Sequence, residues 1–429
     1  MLNKLFGVDK KKHSIRTEIL AGITTFITMS YILAVNPAMF SELDMPVGAV
    51  FTATALAAIV GTLAMSLLAK LPFGLAPGMG LNAFFVYTIC IGMGYPWQFA
   101  LTAVLLEGIL FIIITLSNLR EAIVNAIPQS LRYAISAGIG LFIAFIGLQN
   151  AGIIISDANT IVAMGDITSP GALLAIIGLI ITACLITLRI HGALLWGMLI
   201  TALIGIPMGL TNFRGIVDMP DSIAPIFLQF DWCNIFTADM VVVVLTMFFI
   251  DMFDTIGSLV GVCTKANMLT AQGKIPNAKQ AFLADAIATT AGACMGTNTT
   301  TTYVESAAGV AQGGKTGLTS FVVAIGFALA LFFSPLFLFI PGVATAPVLI
   351  MVGLFMFESA KNIPMDDYSE SLPAFICIIL MPLAYSISAG ILIGMIAYVL
   401  INFVTGKFKK LTPTMYILAI LFILRYIFL

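Results

Sequence analysis

Long apolar segments are the feature that most restricts what this chain can fold into. A helix that crosses a lipid bilayer needs about 20 mostly apolar residues, and such segments follow one another along nearly the whole sequence. Hydrophobic residues make up 60% of the 429 positions and charged residues only 9%, whereas soluble domains are roughly a quarter charged. We therefore predict an all-α polytopic membrane protein.

Fourteen membrane segments are predicted, separated into two groups of seven by a polar stretch at 210–238. The segments near 80–93 and 303–312 are too short to cross alone and are read as half-helices. The first group is 17–38, 47–69, 80–93, 96–117, 131–149, 170–188 and 191–209, and the second is 239–263, 277–294, 303–312, 317–337, 341–358, 371–385 and 388–405. A last apolar stretch, 411–428, is either a further span or a helix at the cytoplasmic surface.

The placement of basic residues supports this count, because cytoplasmic loops of membrane proteins hold most of the Lys and Arg. With the N-terminus in the cytoplasm, all of the 19 basic residues except Arg214 and Arg425 fall on the cytoplasmic side. The opposite loops carry acids, among them Glu42, Asp44 and Asp157. We expect a multi-pass protein of the cytoplasmic (inner) membrane.

Seven spans in each half would give the halves opposite orientations, which is the condition for inverted repeats at 17–209 and 239–405. Leu188–Ile204 and Tyr385–Ile401 are similar in sequence and each closes its half. The two half-helices also occupy matching positions. The alternative is chance similarity between Gly-rich helices.

The segment 296–314 is predicted to hold the functional site. It contains a polar run, Thr297 to Thr302, followed by Glu305 and several small residues. Extended backbone and a carboxylate are tolerated at membrane depth only where protein encloses a cavity. Glu305 also begins a half-helix, whose free N–H groups favour polar or anionic ligand groups.

The eighth span carries two further acids, Asp251 and Asp254, which share one helix face because they are three residues apart. Two nearby acids in a low dielectric should not both be charged, so one is expected to hold a proton. The alternative is that one of them only bonds a neighbouring helix. Asp285 is expected to fix the Thr run or the eighth span, and Glu107 and Glu358 are weaker candidates.

The first half-helix would face these acids with four residues: Asn82, the backbone of Ala83, and the rings of Phe84 and Phe85. An aromatic ring can stack on a flat ligand. Adjacent Phe residues in an apolar helix more often contact lipid or core.

Several other classes of function are disfavoured by the sequence. The six Cys are scattered and no cluster of metal ligands, phosphate-binding loop or nucleophile motif is present, so we expect no enzyme activity, no metal and no cofactor other than the coupling proton. A net charge of −1 gives no reason to expect nucleic acid binding.

Three long motifs resemble signature segments of the nucleobase:cation symporter-2 superfamily, in particular its AzgA-like branch of purine permeases. They are LAPGMGLNAFF at 75–85, FFIDMFDTIGSLVGV at 248–262 and GTNTTTTYVESAAGVAQGGKTGLTS at 296–320; TEILAGITTFITMSYILAVNP at 17–37 is also similar to that branch. The resemblance covers essentially the whole chain.

The resemblance implies one transporter domain over residues 1–429, built as a uracil-carrier-like seven-plus-seven fold. Spans 1–4 and 8–11 would form a core domain and spans 5–7 and 12–14 a gate domain. Short antiparallel strands would precede half-helices 3 and 10 and meet at the substrate site. It also implies proton symport of a nucleobase, elevator-like motion of the core against the gate, and a homodimer.

Carried over by position, Asp254 and Glu305 match the acids that bind the base. Backbone groups of Ala83 and Val304 would complete its hydrogen bonds. Ser258 lies where uracil-type relatives place a histidine, so their protonation scheme does not transfer directly. We expect uptake of guanine or hypoxanthine, with adenine possible. The open alternatives are a carrier of uracil, xanthine or a small anion, and a passive facilitator.

Overall fold

The computed structural model describes residues 2–9, 13–117, 128–157, 160–211, 215–265, 268, 275–412, 415, 416 and 419. Lys10, Lys11, Lys12, Arg120, Arg214, Lys274, Arg425 and most of the 411–428 stretch lie outside these residues, as do the predictions made for them.

The first half of the chain is helical with three short strands. Its elements are α1 (Leu2–Phe6), α2 (Ile15–Met29), α3 (Ile32–Phe40), α4 (Val47–Ala64, continued as a π-helix over Met65–Ala69), β1 (Leu75–Pro77), α5 (Met79–Ala83, continued as a π-helix over Phe84–Gly92), α6 (Trp97–Leu116), α7 (Gln129–Asn150), β2 (Ile154–Asp157), β3 (Ile161–Met164), α8 (Pro170–Thr187) and α9 (Ala193–Gly205).

The second half repeats the pattern of long helices with one strand before a short helix. Its elements are α10 (Ala238–Lys265), α11 (Ala278–Met295), β4 (Thr300–Thr302), α12 (Ser306–Ala311), α13 (Gly317–Ala330), α14 (Ser334–Leu338), α15 (Gly342–Phe357), α16 (Tyr368–Leu383) and α17 (Ile387–Val404), with 3-10 turns at Leu331–Phe333, Glu358–Asn362 and Phe408–Lys410. In the first half, a 3-10 turn at Ser41–Leu43 follows α3.

Nine helical segments within the described residues are long and apolar enough to cross a membrane. Three shorter apolar helices are Met79–Gly92, Ala193–Gly205 and Tyr368–Leu383. The prediction of a mostly helical, polytopic membrane protein is confirmed.

The first predicted span is broken in the structure rather than continuous. α2 ends at Met29 and α3 begins at Ile32, and the Ser30 hydroxyl donates to the carbonyl of Ile27. Such back-bonding by Ser competes with the helical backbone pattern, and the chain tightens here, with Leu33 N–H bonding Ser30 O. Tyr31 in the break is 1% exposed, so its phenol enters the interior.

Strands β1 and β4 join the two halves of the chain. They are antiparallel, with Leu75 opposite Thr302 and Pro77 opposite Thr300. The Thr62 hydroxyl bonds both the N–H and the carbonyl of Leu75, at 2.9 and 3.0 Å. β-Branched Thr favours extended backbone, and each strand leads directly into a short helix. The strands expected before half-helices 3 and 10 are therefore present.

A second hairpin, formed by β2 and β3, was not predicted from the sequence. Ile154 pairs with Met164 and Asp157 with Ile161. The sequence predicts a loop between two spans here, because strands of four residues are too short to show a clear alternation of apolar and polar side chains.

The helices pack in two groups. α11 packs against α4 and α6, and α13 packs against α2 and α4; separately, α7 packs against α15 and α16, and α8 against α9 and α15. α12 approaches α2 closely, since a Cβ added to Gly309 would overlap the carbonyl oxygen of Ala21 and the hydroxyl of Thr25.

A polar link connects the ends of α3 and α7. The Tyr87 hydroxyl donates to Glu42 Oε1 at 2.8 Å and accepts from Asn150 Nδ2 at 3.5 Å. Glu42 and Asn150 also line a cleft of about 320 Å³. This link lies at a seam between the two helix groups.

Candidate functional site

Glu305 lies directly before α12, where strand β4 gives way to the helix. Its Oε1 accepts a 2.7 Å hydrogen bond from the Tyr31 hydroxyl, and its carbonyl accepts from Thr28 Oγ1 at 3.4 Å. The carboxylate is half-buried. Tyr31 was not predicted as a site residue, and a phenol beside Ser30 within an apolar span was the signal that could have indicated it.

Asp254 lies on α10, which packs against β4, and is also half-buried. A Cβ added to Gly78 would lie 3.9 Å from Asp254 Oδ2, so this carboxylate stands beside the start of α5. Asp254 and Glu305 are close enough to interact electrostatically. The structure thus brings the two predicted acids to the junction of β1, β4 and the two short helices.

Asn82 is fully buried one turn into α5. Its Oδ1 accepts from Asn298 Nδ2 at 3.3 Å, while its own Nδ2 has no partner among the described residues. The Asn82 N–H bonds Gly78 O, so the N–H groups that lack an acceptor within the helix are those of Met79, Gly80 and Leu81. Ala83 follows inside the helix, and its backbone role stays a prediction.

Phe84 and Phe85 are both fully buried. The Phe85 ring stacks on Phe40, with centroids 4.9 Å apart and planes at 28°. Phe85 therefore already has an aromatic partner from α3, which leaves Phe84 as the more available ring.

Val304 and Ser258 differ in their exposure. Val304 is 51% exposed, and its carbonyl accepts the Ala307 N–H at 3.0 Å, so the first turn of α12 uses this group. Ser258 is 3% exposed and lies one turn after Asp254 on α10.

Asp251 and Asp285 are fully buried and are joined by the Thr255 hydroxyl. This hydroxyl lies 2.9 Å from Asp285 Oδ2, 3.4 Å from Asp251 Oδ1 and 2.8 Å from Thr301 Oγ1. The predicted role of Asp285, to fix the Thr run or the eighth span, stays a prediction.

Glu107 on α6 belongs to the same buried region. Its Oε2 accepts from Thr299 Oγ1 at 2.9 Å, and its side chain is close enough to that of Asp251 to interact with it. Glu107 was only a weak candidate before the structure, because Thr299 and Asp251 are distant from it in the chain.

The whole arrangement offers carboxylate acceptors beside helix N–H donors at the meeting point of two interrupted helices. Among the described residues, no group of three His, Cys, Asp or Glu is placed to hold a metal ion. Interrupted helices meeting inside an apolar bundle are typical of membrane transporters. The fold and site therefore define a polytopic transport protein.

Comparison with known proteins names the family. A profile described as the Permease family matches residues 16–393. The chain belongs to this family, and the resemblance to the nucleobase:cation symporter-2 superfamily is confirmed; the protein is a permease and not an enzyme.

Two curated relatives are similar over their full lengths. The guanine/hypoxanthine permease PbuG of Bacillus subtilis is 45% identical over 441 residues, covering 100% of both chains. The adenine permease AdeP of Escherichia coli is 40% identical over 428 residues, covering 100% of this chain and 96% of the relative.

A solved structure shares the fold. The transmembrane domain of the cyanobacterial bicarbonate transporter BicA superimposes with a TM-score of 0.67 at 15% identity, covering 87% of this chain and 97% of that domain. At this identity the likeness concerns the fold alone.

Proposed function

We propose that this protein imports purine nucleobases with a proton across the cytoplasmic membrane. The observation that carries the proposal is the pair of half-buried acids, Asp254 and Glu305, at the junction of the paired strands. The names of the full-length relatives, which are guanine/hypoxanthine and adenine permeases, support purines as the substrate class.

Guanine and hypoxanthine suit such a site better than adenine. Each presents ring N–H donors, which ionised carboxylates accept, and charge-assisted bonds of this kind are roughly twice as strong as neutral ones. Adenine presents an unprotonated ring nitrogen beside its amino group, so it would need a protonated acid or a helix N–H as donor. The first two bases are therefore the proposed substrates and adenine the alternative.

The remaining contacts follow from the geometry of the short helices. Free N–H groups at the start of α5 and the backbone near Val304 would bond acceptors of the base, and Asn82 has a free amide N–H to offer. The Phe84 ring would pack on the face of the base. Ser258 lies close enough along α10 to contribute a hydroxyl.

Alternating access is proposed to be elevator-like. The core would consist of α2, α4, α5, α6, α10, α11, α12 and α13, and the gate of α7, α8, α9, α15, α16 and α17. These fourteen segments would form two inverted halves with a cytoplasmic N-terminus. A homodimer held through the gate is part of this proposal. The proton would neutralise acidic charge for loading from outside, and its loss inside would release the base.

A small-anion carrier is the less favoured rival. The bicarbonate transporter shares the fold, but two carboxylates at the site repel anions. A carrier of uracil or xanthine would differ from a purine carrier of this kind only in the hydrogen bonds at the site. Competition between these bases and labelled hypoxanthine distinguishes the two.

Uptake of labelled hypoxanthine into cells that lack their own purine carriers tests the function. We expect accumulation above equilibrium that guanine competes away, that uracil and xanthine leave unchanged, and that a protonophore abolishes while replacement of sodium does not. A passive facilitator would equilibrate without accumulating.

Two substitutions test the site. We expect Glu305→Gln and Asp254→Asn each to abolish accumulation, while Glu358→Gln, at an exposed carboxylate bonded to Lys361, retains it. Accumulation by both site variants would overturn the assignment.

A further inference from the structure

Glu107, Asp251 and Asp285 form a second acidic group, called here the buried triad, apart from Asp254 and Glu305. The three come from α6, α10 and α11, and all are 0% exposed. Their hydrogen-bond partners are threonines of the strand region and of α10, chiefly Thr255 and Thr299.

The contact between Glu107 and Asp251 requires a proton. Their side chains are close enough to interact, and both are 0% exposed. An ionised carboxylate only accepts hydrogen bonds. If both were ionised, Glu107 Oε1 and Asp251 Oδ2 would have no donor among the described residues. One proton on the pair supplies the missing donor.

Within the part of the chain that the structure describes, no basic side chain is paired with the triad. The ion pairs found within the described residues use Lys361, Lys407 and Lys410, all at the ends of other helices. Asp254 is the titratable group outside the triad that interacts with Asp251 and Asp285. The groups that interact with Asp254 in turn are acidic or phenolic: Glu305, Tyr31 and Tyr303. An unpaired buried charge is costly by several kcal/mol, so a proton is the fitting occupant.

We propose that Glu107 and Asp251 share the transported proton, at a site separate from the one that holds the base. The inference rests on the proposed function and assigns its coupling step to residues that do not contact the substrate. The step is a simple ionisation, in which the shared carboxyl O–H yields a carboxylate and a free proton, with no redox change.

Two sets of contacts couple the triad to the substrate site. Asp251 and Asp254 lie one turn apart on α10. The Thr255 hydroxyl connects Asp251 and Asp285 to Thr301, whose neighbour across the strand pair is Ala76. Loss of the proton would place a charge against α10, which carries Asp254, and against β4, which leads into Glu305.

Infrared difference spectroscopy on purified protein tests the proton without any substrate. We expect the wild type at neutral pH to show a protonated carboxyl band, part of which Glu107→Gln and Asp251→Asn each remove and Glu358→Gln leaves intact. A wild type with no such band, or variants with an unchanged band, would overturn the proposal. The wild-type spectrum decides this even where a variant does not fold.

Transport in proteoliposomes tests the coupling. A gradient of one pH unit can drive about tenfold accumulation per coupled proton. We expect Glu107→Gln to lose this accumulation while hypoxanthine counterflow, which needs no net proton movement, stays within about twofold of the wild type.

The outcomes separate this inference from the proposed function. Normal pH-driven accumulation by Glu107→Gln contradicts the triad as the proton site. Failure of the wild type to transport any purine contradicts the proposed function, and the infrared comparison still decides whether the pair shares a proton.

Discussion

The Tyr31 hydroxyl donates a 2.7 Å hydrogen bond to Glu305 Oε1 across 274 positions of the chain. The bond joins the break between α2 and α3 to the start of α12. It holds the carboxylate in one orientation before a substrate arrives, which lowers the entropic cost of binding.

Removing this bond should weaken substrate binding. Hydrogen bonds to charged groups contribute about 1.5–3 kcal/mol, so we expect Tyr31→Phe to raise the Kd for hypoxanthine about tenfold. Binding to purified protein by calorimetry measures the change. Tyr133→Phe, which loses only an exposed bond from Gln129 Nε2, should leave Kd unchanged; an equal effect of both would show that Tyr31 acts through general stability.

The contact of α12 with α2 should not tolerate a side chain at Gly309. Overpacking of this kind costs about 1–3 kcal/mol, because the Ala21 carbonyl and Thr25 would have to move. We expect Gly309→Ala to lower the melting temperature in detergent. Gly261→Ala on α10, where an added Cβ meets nothing within 4 Å, should be neutral or slightly stabilising because Ala favours helix over Gly. Equal melting temperatures for the two variants would contradict the close approach.

The link of Tyr87 to Glu42 and Asn150 should hold the seam between the helix groups closed. We expect Tyr87→Phe to speed labelling of Cys90, which is 8% exposed and lies one turn further along the helix. An impermeant thiol reagent on whole cells measures the rate, with the other cysteines, Cys184, Cys233, Cys263, Cys294 and Cys377, replaced by Ser. Tyr95→Phe is the control. It loses a bond to Asp239 at the start of α10, away from Glu42 and Asn150, and should not change the rate.

Stability should depend on pH through Asp367 at the start of α16. Hydrogen bonds from Lys407 and Lys410 hold the pKa of Asp367 well below its usual range. A depressed folded pKa stabilises the fold above the unfolded value of about 3.9, and this contribution is lost as the pH falls through the folded pKa.

We therefore expect Asp367→Asn to lower the melting temperature at pH 7 by a small amount that salt reduces. The difference from the wild type should shrink as the pH is lowered below the usual range of Asp. A difference that persists unchanged in acid would mean that the side chain acts through its shape or its cap on α16 rather than its charge.

The membrane segments were predictable because apolar length is a property of contiguous residues. The segments predicted near 131–149 and 170–188 correspond to Gln129–Asn150 and Pro170–Thr187. The break after Met29 was not predictable in this way, because Ser30 and Tyr31 are too few polar residues to interrupt an apolar average.

The acids of the proposed site were predicted from the energetic cost of placing a carboxylate in an apolar span and from the resemblance to the family. Their partners were not. Tyr31 and Glu107 are of interest because they lie beside Glu305 and Asp251, which are distant from them in the chain. Only the folded chain shows such pairs.

The pairing of β1 with β4 also fixes an order of events during biosynthesis. Tyr303 reaches the carbonyl of Pro77 across 226 positions, so a nascent chain carries an unpaired first strand until the Thr run leaves the ribosome. Unpaired backbone is not tolerated in lipid. Until β4 is made, the earlier helices must therefore keep β1 in contact with water or shielded by protein. A ribosome that stops before residue 300 releases inserted helices without a transport pathway, suited only to degradation.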